Sequence, residues 1–211
     1  MEEFDLTSIW PKYGLRDTPY STSPLRLFGP LNIEKVFANR EKEIQELITS
    51  VYSASSTRTL VVGDPGVGKT TYGNYFRWFL CIKNAPHNAF LTTPAELKVQ
   101  ENWDNKQFLR ASLAAIYNAN IVFDWKKQGV DILSFKELEG YIKATIQKTG
   151  GVNAQVMGSG GGLEYGETLT LPSEVSAEIL EDFFLRIMKE IREQGKQLIL
   201  QYNNLENVEN E

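Results

Sequence analysis

The chain has 211 residues, 42% of them hydrophobic, which is enough to bury a sizeable core as one domain or as one domain with an appendage. A formal net charge of -5 argues against a surface coated in positive charge for neutralising nucleic-acid phosphates. The longest apolar runs are too short to cross a bilayer, and the start at Met1, Glu2 and Glu3 lacks the basic and apolar stretches of a leader. We therefore expect a cytoplasmic protein with no membrane partner.

The single cysteine and the single histidine indicate no chemistry of their own. Cys81 cannot form an internal disulfide, and its place on the apolar side of a predicted helix favours a buried thiol that serves packing. His87 lies in a turn-like stretch without the second His, Cys or acidic cluster that a metal site needs. We assign no catalytic or metal-binding role to either residue.

The first quarter of the chain predicts a coil followed by a helix. Residues 1–38 are punctuated by Pro, Gly and Tyr, which predicts an ordered coil that drapes over the core. Asn39 then caps an amphipathic helix. The apolar residues that follow it at helical spacing are Ile44, Leu47, Ile48, Val51 and Tyr52. Residues 39–211 would form the core domain that begins at this helix.

A short strand and several helices are predicted next. Arg58–Val62 is a β-rich run that ends at a glycine, and a helix runs from about Lys69 to Ile82. Ala89–Thr92 is a weaker strand candidate. Two further helices begin at capping boxes that start with Asp104 and Ser134.

The last third of the chain predicts a hairpin insertion, a helix and a strand. Apolar residues alternate with period two over about 150–171, with the glycine cluster Gly158–Gly162 at the turn. This cluster has no lysine and no helix start after it, so a mobile turn is favoured over a second phosphate loop. A long amphipathic helix begins near Ser173 and is ended by Gly195, and the strand Gln197–Tyr202 follows.

A phosphate-binding motif, G-x-x-x-x-G-K-[ST], lies between the predicted strand and helix. Its residues are Gly63, Asp64, Pro65, Gly66, Val67, Gly68, Lys69 and Thr70, and Thr71 follows in the helix. The glycines allow successive backbone N–H groups, from Asp64 to Thr71, to point inward around phosphate oxygens. Lys69 would reach the β- and γ-phosphates, and Thr70 would give its hydroxyl to Mg²⁺, above a helix N-terminus that favours anions. We predict that this loop binds a nucleoside triphosphate with Mg²⁺.

An ATPase with such a loop also needs a second strand, which ends in an acidic residue that holds Mg²⁺, and a group that orients the attacking water. The strand that ends in Asn203, Asn204 and Glu206 is the best candidate by position. Asn203 would face the metal, and Asn204 and Glu206 would be the catalytic residues. Because asparagine brings no charge, Mg²⁺ would be held less firmly and Glu206 would have to act as the general base. The rival is Ile121–Asp124, which has the aspartate but only three apolar residues before it.

Four stretches of the chain carry a family resemblance: Tyr13–Tyr20, Val36–Ile44, the glycine motif and Asn203–Glu206. Together they resemble AAA+ ATPases of the initiator (origin-recognition) and STAND-like group, over nearly the whole chain. The resemblance implies that Phe37–Ile44 and the coil before it line an adenine pocket. The family's sensor strand, arginine finger and helical lid have no candidate residues here, so we expect either the N-terminal part of a larger protein or elements supplied by another segment.

We therefore predict a three-layer α/β P-loop NTPase fold with a mainly parallel sheet and the hairpin insertion. The expected function is an ATP-binding domain whose nucleotide state controls self-association, or engagement of a partner in a larger assembly. DNA stays open as a partner, although the charge does not indicate it. The alternative is a non-hydrolysing nucleotide-dependent scaffold, because Asn203 replaces an aspartate. A kinase is disfavoured because no arginine-rich lid follows the long helix, and ATP is preferred over GTP by resemblance.

Overall fold

The computed structural model describes residues 23–38, 40–53, 57–83, 89–101, 103–149, 171–172 and 174–207. Six α-helices lie within them: α1 (Ile33–Val36), α2 (Glu41–Tyr52), α3 (Lys69–Trp78), α4 (Asn105–Val122), α5 (Ser134–Thr149) and α6 (Ala177–Glu193). Helix α3 runs directly into a π-helical turn, Phe79–Lys83. The helices predicted from periodicity are confirmed, although α6 starts at Ala177 rather than near Ser173.

The described strands form two short parallel pairs. Strand β1 (Phe90–Thr92) pairs with β3 (Gln197–Ile199), and strand β2 (Leu97–Lys98) pairs with β4 (Tyr202–Asn203). The predicted strand over 197–202 is thus two strands with a break between them. Helices combined with parallel strands confirm an α/β chain, whereas the three-layer P-loop arrangement remains a prediction.

The predicted strand Arg58–Val62 is wrong for the described structure, because residues 57–64 belong to neither a strand nor a helix. The apolar side chains of Leu60 and Val62 are 71% and 80% exposed. An apolar run becomes a strand only where a neighbour pairs with its backbone, and among the described residues β3 pairs with β1 alone. The segment instead lines a cavity that residues of β3 also line.

The rival metal strand, Ile121–Asp124, is also wrong. Ile121 lies in the last turn of α4, and Asp124 lies in the turn that follows, with a positive φ of 46°. The Asp124 carboxylate pairs with Lys127 at 2.5 Å. An apolar run of three residues does not distinguish a buried strand from the end of a buried helix.

Two apolar clusters form the core. The larger one joins α4, α5 and α6 through fully buried side chains, among them Leu113, Ile116, Leu138, Leu180 and Ile187. The smaller one joins α2, α3 and β1 and includes Ile44, Ile48, Phe76, Leu80 and Phe90. Each such side chain contributes roughly 1.5–3 kcal/mol by leaving water. The smaller cluster fixes α3, and therefore the loop before it, against α2.

The helix starts are fixed in different ways. Asp104 and Gln107 form the predicted capping box of α4. At α5, the Glu190 carboxylate of α6 accepts hydrogen bonds from the amides of Leu133 (2.6 Å) and Ser134 (3.2 Å). Glu137, expected in a capping box with Ser134, forms an ion pair with Arg186 at 2.5 Å instead. The start of α5 is therefore capped by Glu190 of α6 and not by a residue of its own first turn.

Some predictions fall on residues outside the described ranges. They include His87, the coil over residues 1–22, the cap at Asn39 and the hairpin insertion at about 150–171 except for Leu171, which is buried. Residues 23–38, predicted as coil, contain helix α1. Cys81 packs against the smaller core, and burial raises the pKa of its thiol to about 12, in keeping with a packing role.

Within the described ranges, no helix combines the length and the apolar character needed to span a bilayer.

Candidate functional site

The glycine loop, Gly63–Thr70, has a backbone that depends on its glycines. Gly66 and Gly68 have φ of 84° and 89°, in the left-handed region that side chains disfavour. The amide of Val67 donates to the carbonyl of Asp64 at 3.5 Å, which closes a turn. The sequence motif therefore corresponds to a loop whose shape requires glycine at two of its positions.

Helix α3 begins immediately after the second of these glycines. The Tyr72 amide donates to the Gly68 carbonyl at 2.9 Å, as the first bond of the helical ladder. The amides of Lys69, Thr70 and Thr71 come before that ladder and have no intrahelical acceptor. A helix N-terminus of this kind favours an anion, both through these N–H groups and through the helix dipole.

The ammonium group of Lys69 lies against the backbone of the loop. Its Nζ donates to the carbonyl of Gly63 at 2.7 Å and to that of Asp64 at 3.0 Å. An ammonium group carries three protons, so these bonds leave one donor for a further acceptor. The group is exposed, so a phosphate oxygen can accept its third proton or replace one of the two carbonyls as an acceptor.

Arg40 is a second cation at the loop, and sequence reasoning noticed it only as part of the stretch Phe37–Ile44. Its Nη2 donates to the carbonyl of Val67 at 3.0 Å, from the cap position of α2. Phe37 stacks on Tyr75 of α3, with ring centroids 3.9 Å apart. The stretch before α2 thus lies close to the loop and to α3, while its role in an adenine pocket remains a prediction.

The described part of the N-terminal coil also contacts α3. The Leu25 amide donates to Oγ1 of Thr71 at 3.2 Å, and Nδ2 of Asn74 donates to the Leu25 carbonyl at 2.8 Å. The hydroxyl of Thr71 therefore holds the coil, which leaves the backbone amide as the group that Thr71 offers to a phosphate.

Asn203 and Thr70, predicted to face one metal ion, are brought together. Nδ2 of Asn203 donates to Oγ1 of Thr70 at 3.3 Å. Asn203 is the last residue of β4, which pairs with β2. The β2–β4 pair therefore carries Asn203 to the start of α3.

Sequence reasoning missed Gln201, which touches both of these residues. Its Nε2 donates to the Thr70 carbonyl at 3.4 Å and to Oδ1 of Asn203 at 3.2 Å. Gly73 makes room for it, because a Cβ at that position would lie 2.7 Å from the Gln201 carboxamide. The only signal in the sequence is a polar residue directly after the apolar run Leu198–Leu200.

The arrangement does not fit a magnesium ion held by Asn203. Its oxygen accepts from Gln201, and its NH₂ group faces the Thr70 hydroxyl. Mg²⁺ needs oxygen ligands, and an amide N–H is a donor. Within the described ranges, no three His, Cys, Asp or Glu side chains cluster as metal ligands. The metal role of Asn203 remains a prediction that this geometry does not favour.

The two predicted catalytic residues lie beyond β4. Asn204 is exposed and has a positive φ of 62°. Glu206 lies exposed in the 3₁₀ turn Leu205–Asn207 and lines the cavity. Both are near Asn203 in the chain, but no described contact links them to the glycine loop, so their catalytic roles remain predictions.

A cavity of about 730 Å³ extends from the glycine loop along α3 and β3. This volume lies within the range of small-molecule pockets. Its described lining includes four basic residues, Lys69, Arg77, Arg192 and Lys196, and one acidic residue, Glu206. The lining is thus positive in a chain of net charge -5, which favours an anionic ligand.

Arg77 connects α3 to the chain after β1 and is only 1% exposed. Its guanidinium donates to Oδ1 of Asn74 at 2.7 Å and to the Thr93 carbonyl at 2.9 Å. Burial lowers its pKa to about 10, and Glu96 partly opposes that effect. Neutral acceptors therefore hold this buried cation, and they fix α3 beside β1.

A scan against models of known protein families finds no match, and searches of the curated proteins and of the solved structures find none either.

Proposed function

We propose that the chain binds ATP and that the glycine loop Gly63–Thr70 holds its phosphates. The observation that carries the proposal is the combination of Gly66 and Gly68 at positive φ with a helix that begins at Lys69. The first amides of α3 have no intrahelical acceptor, and the Lys69 ammonium lies on the backbone of the same loop, and both features support phosphate binding. The positive lining of the adjoining cavity supports the same class of ligand.

The nucleotide would act as a switch in an AAA+ or STAND-like ATPase domain. In this account its state controls self-association or engagement of a partner in a larger assembly, and DNA stays open as that partner. This part of the proposal rests on the family resemblance. The contact between Thr70 and Asn203 supports the switch, since a ligand that displaces Thr70 would also change a hydrogen bond made by β4.

A second candidate function is a nucleotide-dependent scaffold that binds ATP without hydrolysing it. The favouring observation is that an amide, rather than a carboxylate, faces Thr70. Neither a charged metal partner nor a general base is positioned there by a described contact. Such a protein would change its association state on binding ATP and return when ATP leaves.

Equilibrium titration of the purified chain with labelled ATP tests the proposal. Lys69→Ala should lower the affinity by at least about tenfold, since it removes a charge-assisted bond to phosphate. Lys189→Ala is the matched control, because Lys189 is an exposed lysine of α6 whose side chain is 75% accessible. No binding by the native chain would sink the proposal, as would equal affinities for all three proteins. Phosphate release, measured in parallel, separates an ATPase from a scaffold.

A further inference from the structure

A relay of side-chain amides links the start of α3 to the end of β4. The Thr70 carbonyl can only accept, so the group of Gln201 that faces it must be the NH₂ group. The same NH₂ group faces Asn203, so the Asn203 atom at 3.2 Å must be the oxygen. The NH₂ group of Asn203 is then left to donate to Oγ1 of Thr70. The Thr70 carbonyl thus fixes the orientation of both side-chain amides, that of Gln201 and that of Asn203.

The carboxamide of Gln201 lies close to where a Cβ at position 73 would be. Three atoms of its carboxamide lie 2.7–2.8 Å from where a Cβ at position 73 would be, a distance that real Cβ atoms do not show. A glycine inside α3 is otherwise unfavourable, because glycine is a poor helix former. The close approach of the Gln201 carboxamide therefore accounts for a glycine at position 73.

Gln201 is not well satisfied as a structural residue. Its Oε1 is buried and has no hydrogen-bond partner among the described residues. A buried acceptor without a partner destabilises the fold. An apolar side chain of similar length would remove this defect, but it would also lose the two hydrogen bonds that the NH₂ group donates to Thr70 and Asn203. What glutamine adds at this position is therefore the contact with these two residues.

We infer that Gln201 is a positioning residue, which holds the Asn203 amide with its N–H toward Thr70 and its oxygen away from any cation at the loop. The inference about metal dependence rests on the proposed function. It follows that Asn203 does not help to bind magnesium in this chain and that ATP affinity depends little on magnesium through this residue. The Asn203 oxygen becomes a possible ligand only when Gln201 releases it.

Magnesium dependence provides the first test. The quantity is the ratio of the ATP dissociation constant in EDTA to that in excess Mg²⁺. Gln201→Met should raise this ratio by about tenfold, the low end of the effects seen when a residue that orients a metal ligand is changed. In an Asn203→Ala background the same substitution should leave the ratio unchanged, because no oxygen is released. Gly73→Ala should act like Gln201→Met, since its Cβ displaces the carboxamide, and alanine is the better helix former.

The second test needs no nucleotide. In ¹⁵N-labelled protein, the side-chain NH₂ signal of Asn203 is identified by its loss in Asn203→Asp. Thr70→Val should shift this signal, and Thr70→Ser should leave it close to its native position. In Gln201→Met the signal should no longer respond to Thr70→Val, because the amide is no longer held toward Thr70.

The outcomes separate the two claims. An Asn203 signal that ignores Thr70→Val in the native chain overturns the inference, as does a magnesium ratio that is equal in the native chain and Gln201→Met. If the native chain binds no ATP in either condition while the Asn203 signal responds as expected, the proposed function fails and the positioning by Gln201 stands.

Discussion

Nδ2 of Asn203 donates a hydrogen bond to Oγ1 of Thr70 across 3.3 Å, although 133 residues separate the two in the chain. The bond joins the end of β4 to the first turn of α3. The sequence singles out both residues as neighbours of a triphosphate, one from the glycine motif and one from the end of an apolar strand. Their contact brings the two halves of the predicted site together, and single substitutions can test what binds there.

Alanine in place of Gly66 or Gly68 should weaken ATP binding. Both positions have positive φ, a region that costs an L-residue about 1–2 kcal/mol, so the loop would turn its amides away from the phosphates. We expect a loss of roughly tenfold in affinity, measured by equilibrium titration. The control is Gly140→Ala in α5, where an added Cβ meets nothing within 4 Å. Loop variants that bind ATP as tightly as this control would contradict the prediction.

Asn203→Asp should raise the rate of ATP hydrolysis. The carboxylate supplies the charge that asparagine lacks, and it can accept a hydrogen bond from the Thr70 hydroxyl in place of donating one. The measurement is steady-state phosphate release, with Asn203→Leu as the uncharged comparison. If Asp and Leu give the same rate, either β4 is not the metal strand or the missing charge does not limit turnover.

Arg77→Met should destabilise the fold. It leaves the buried acceptors of Asn74 and Thr93 without their donor, and such losses typically sum to roughly 2–4 kcal/mol. The free energy of unfolding, measured with urea, checks this. Arg192→Met is the control, because Arg192 is an exposed arginine of α6. Equal stabilities for the two variants would show that the Arg77 hydrogen bonds contribute little.

Alkaline pH should destabilise the chain in part through Tyr117. Burial, and then the hydrogen bond to Glu139, raise the pKa of this phenol above its ordinary value of 10.0. The folded state keeps the proton that the unfolded state releases, so the stabilisation is complete below pH 10.0 and is lost as the pH rises above it. Tyr117→Phe should lose less stability between about pH 9 and pH 11 than the native chain does. Tyr52→Phe, at a tyrosine that is 60% exposed, is the control, and an unchanged pH dependence in Tyr117→Phe would refute the assignment.

The sequence predicts the helices well because their signals are local. Spacing at Ile44 and Ile48 identifies α2, and the pair Asp104 and Gln107 marks the start of α4. These signals act within a few residues of one another, so no knowledge of the rest of the fold is needed.

The sequence predicts the strands less well, because a strand depends on a distant partner. The run at Arg58–Val62 has strand composition but no backbone partner among the described residues. Gln201 is missed for the same reason, since its role arises from contacts with Thr70 and Gly73 that leave no periodic pattern. The glycine loop is the exception among the site features, because its backbone shape depends on glycines within the loop itself.

The most direct measurement of the central claim is a backbone amide spectrum of ¹⁵N-labelled protein with and without ATP. Phosphate oxygens bound at the loop would accept hydrogen bonds from its amides and shift their signals. We predict the largest shifts at Gly66, Gly68, Lys69 and Thr70, with little change at Gly140 in α5. Saturating ATP that leaves the four loop amides unmoved, or that moves other amides more, would contradict the account.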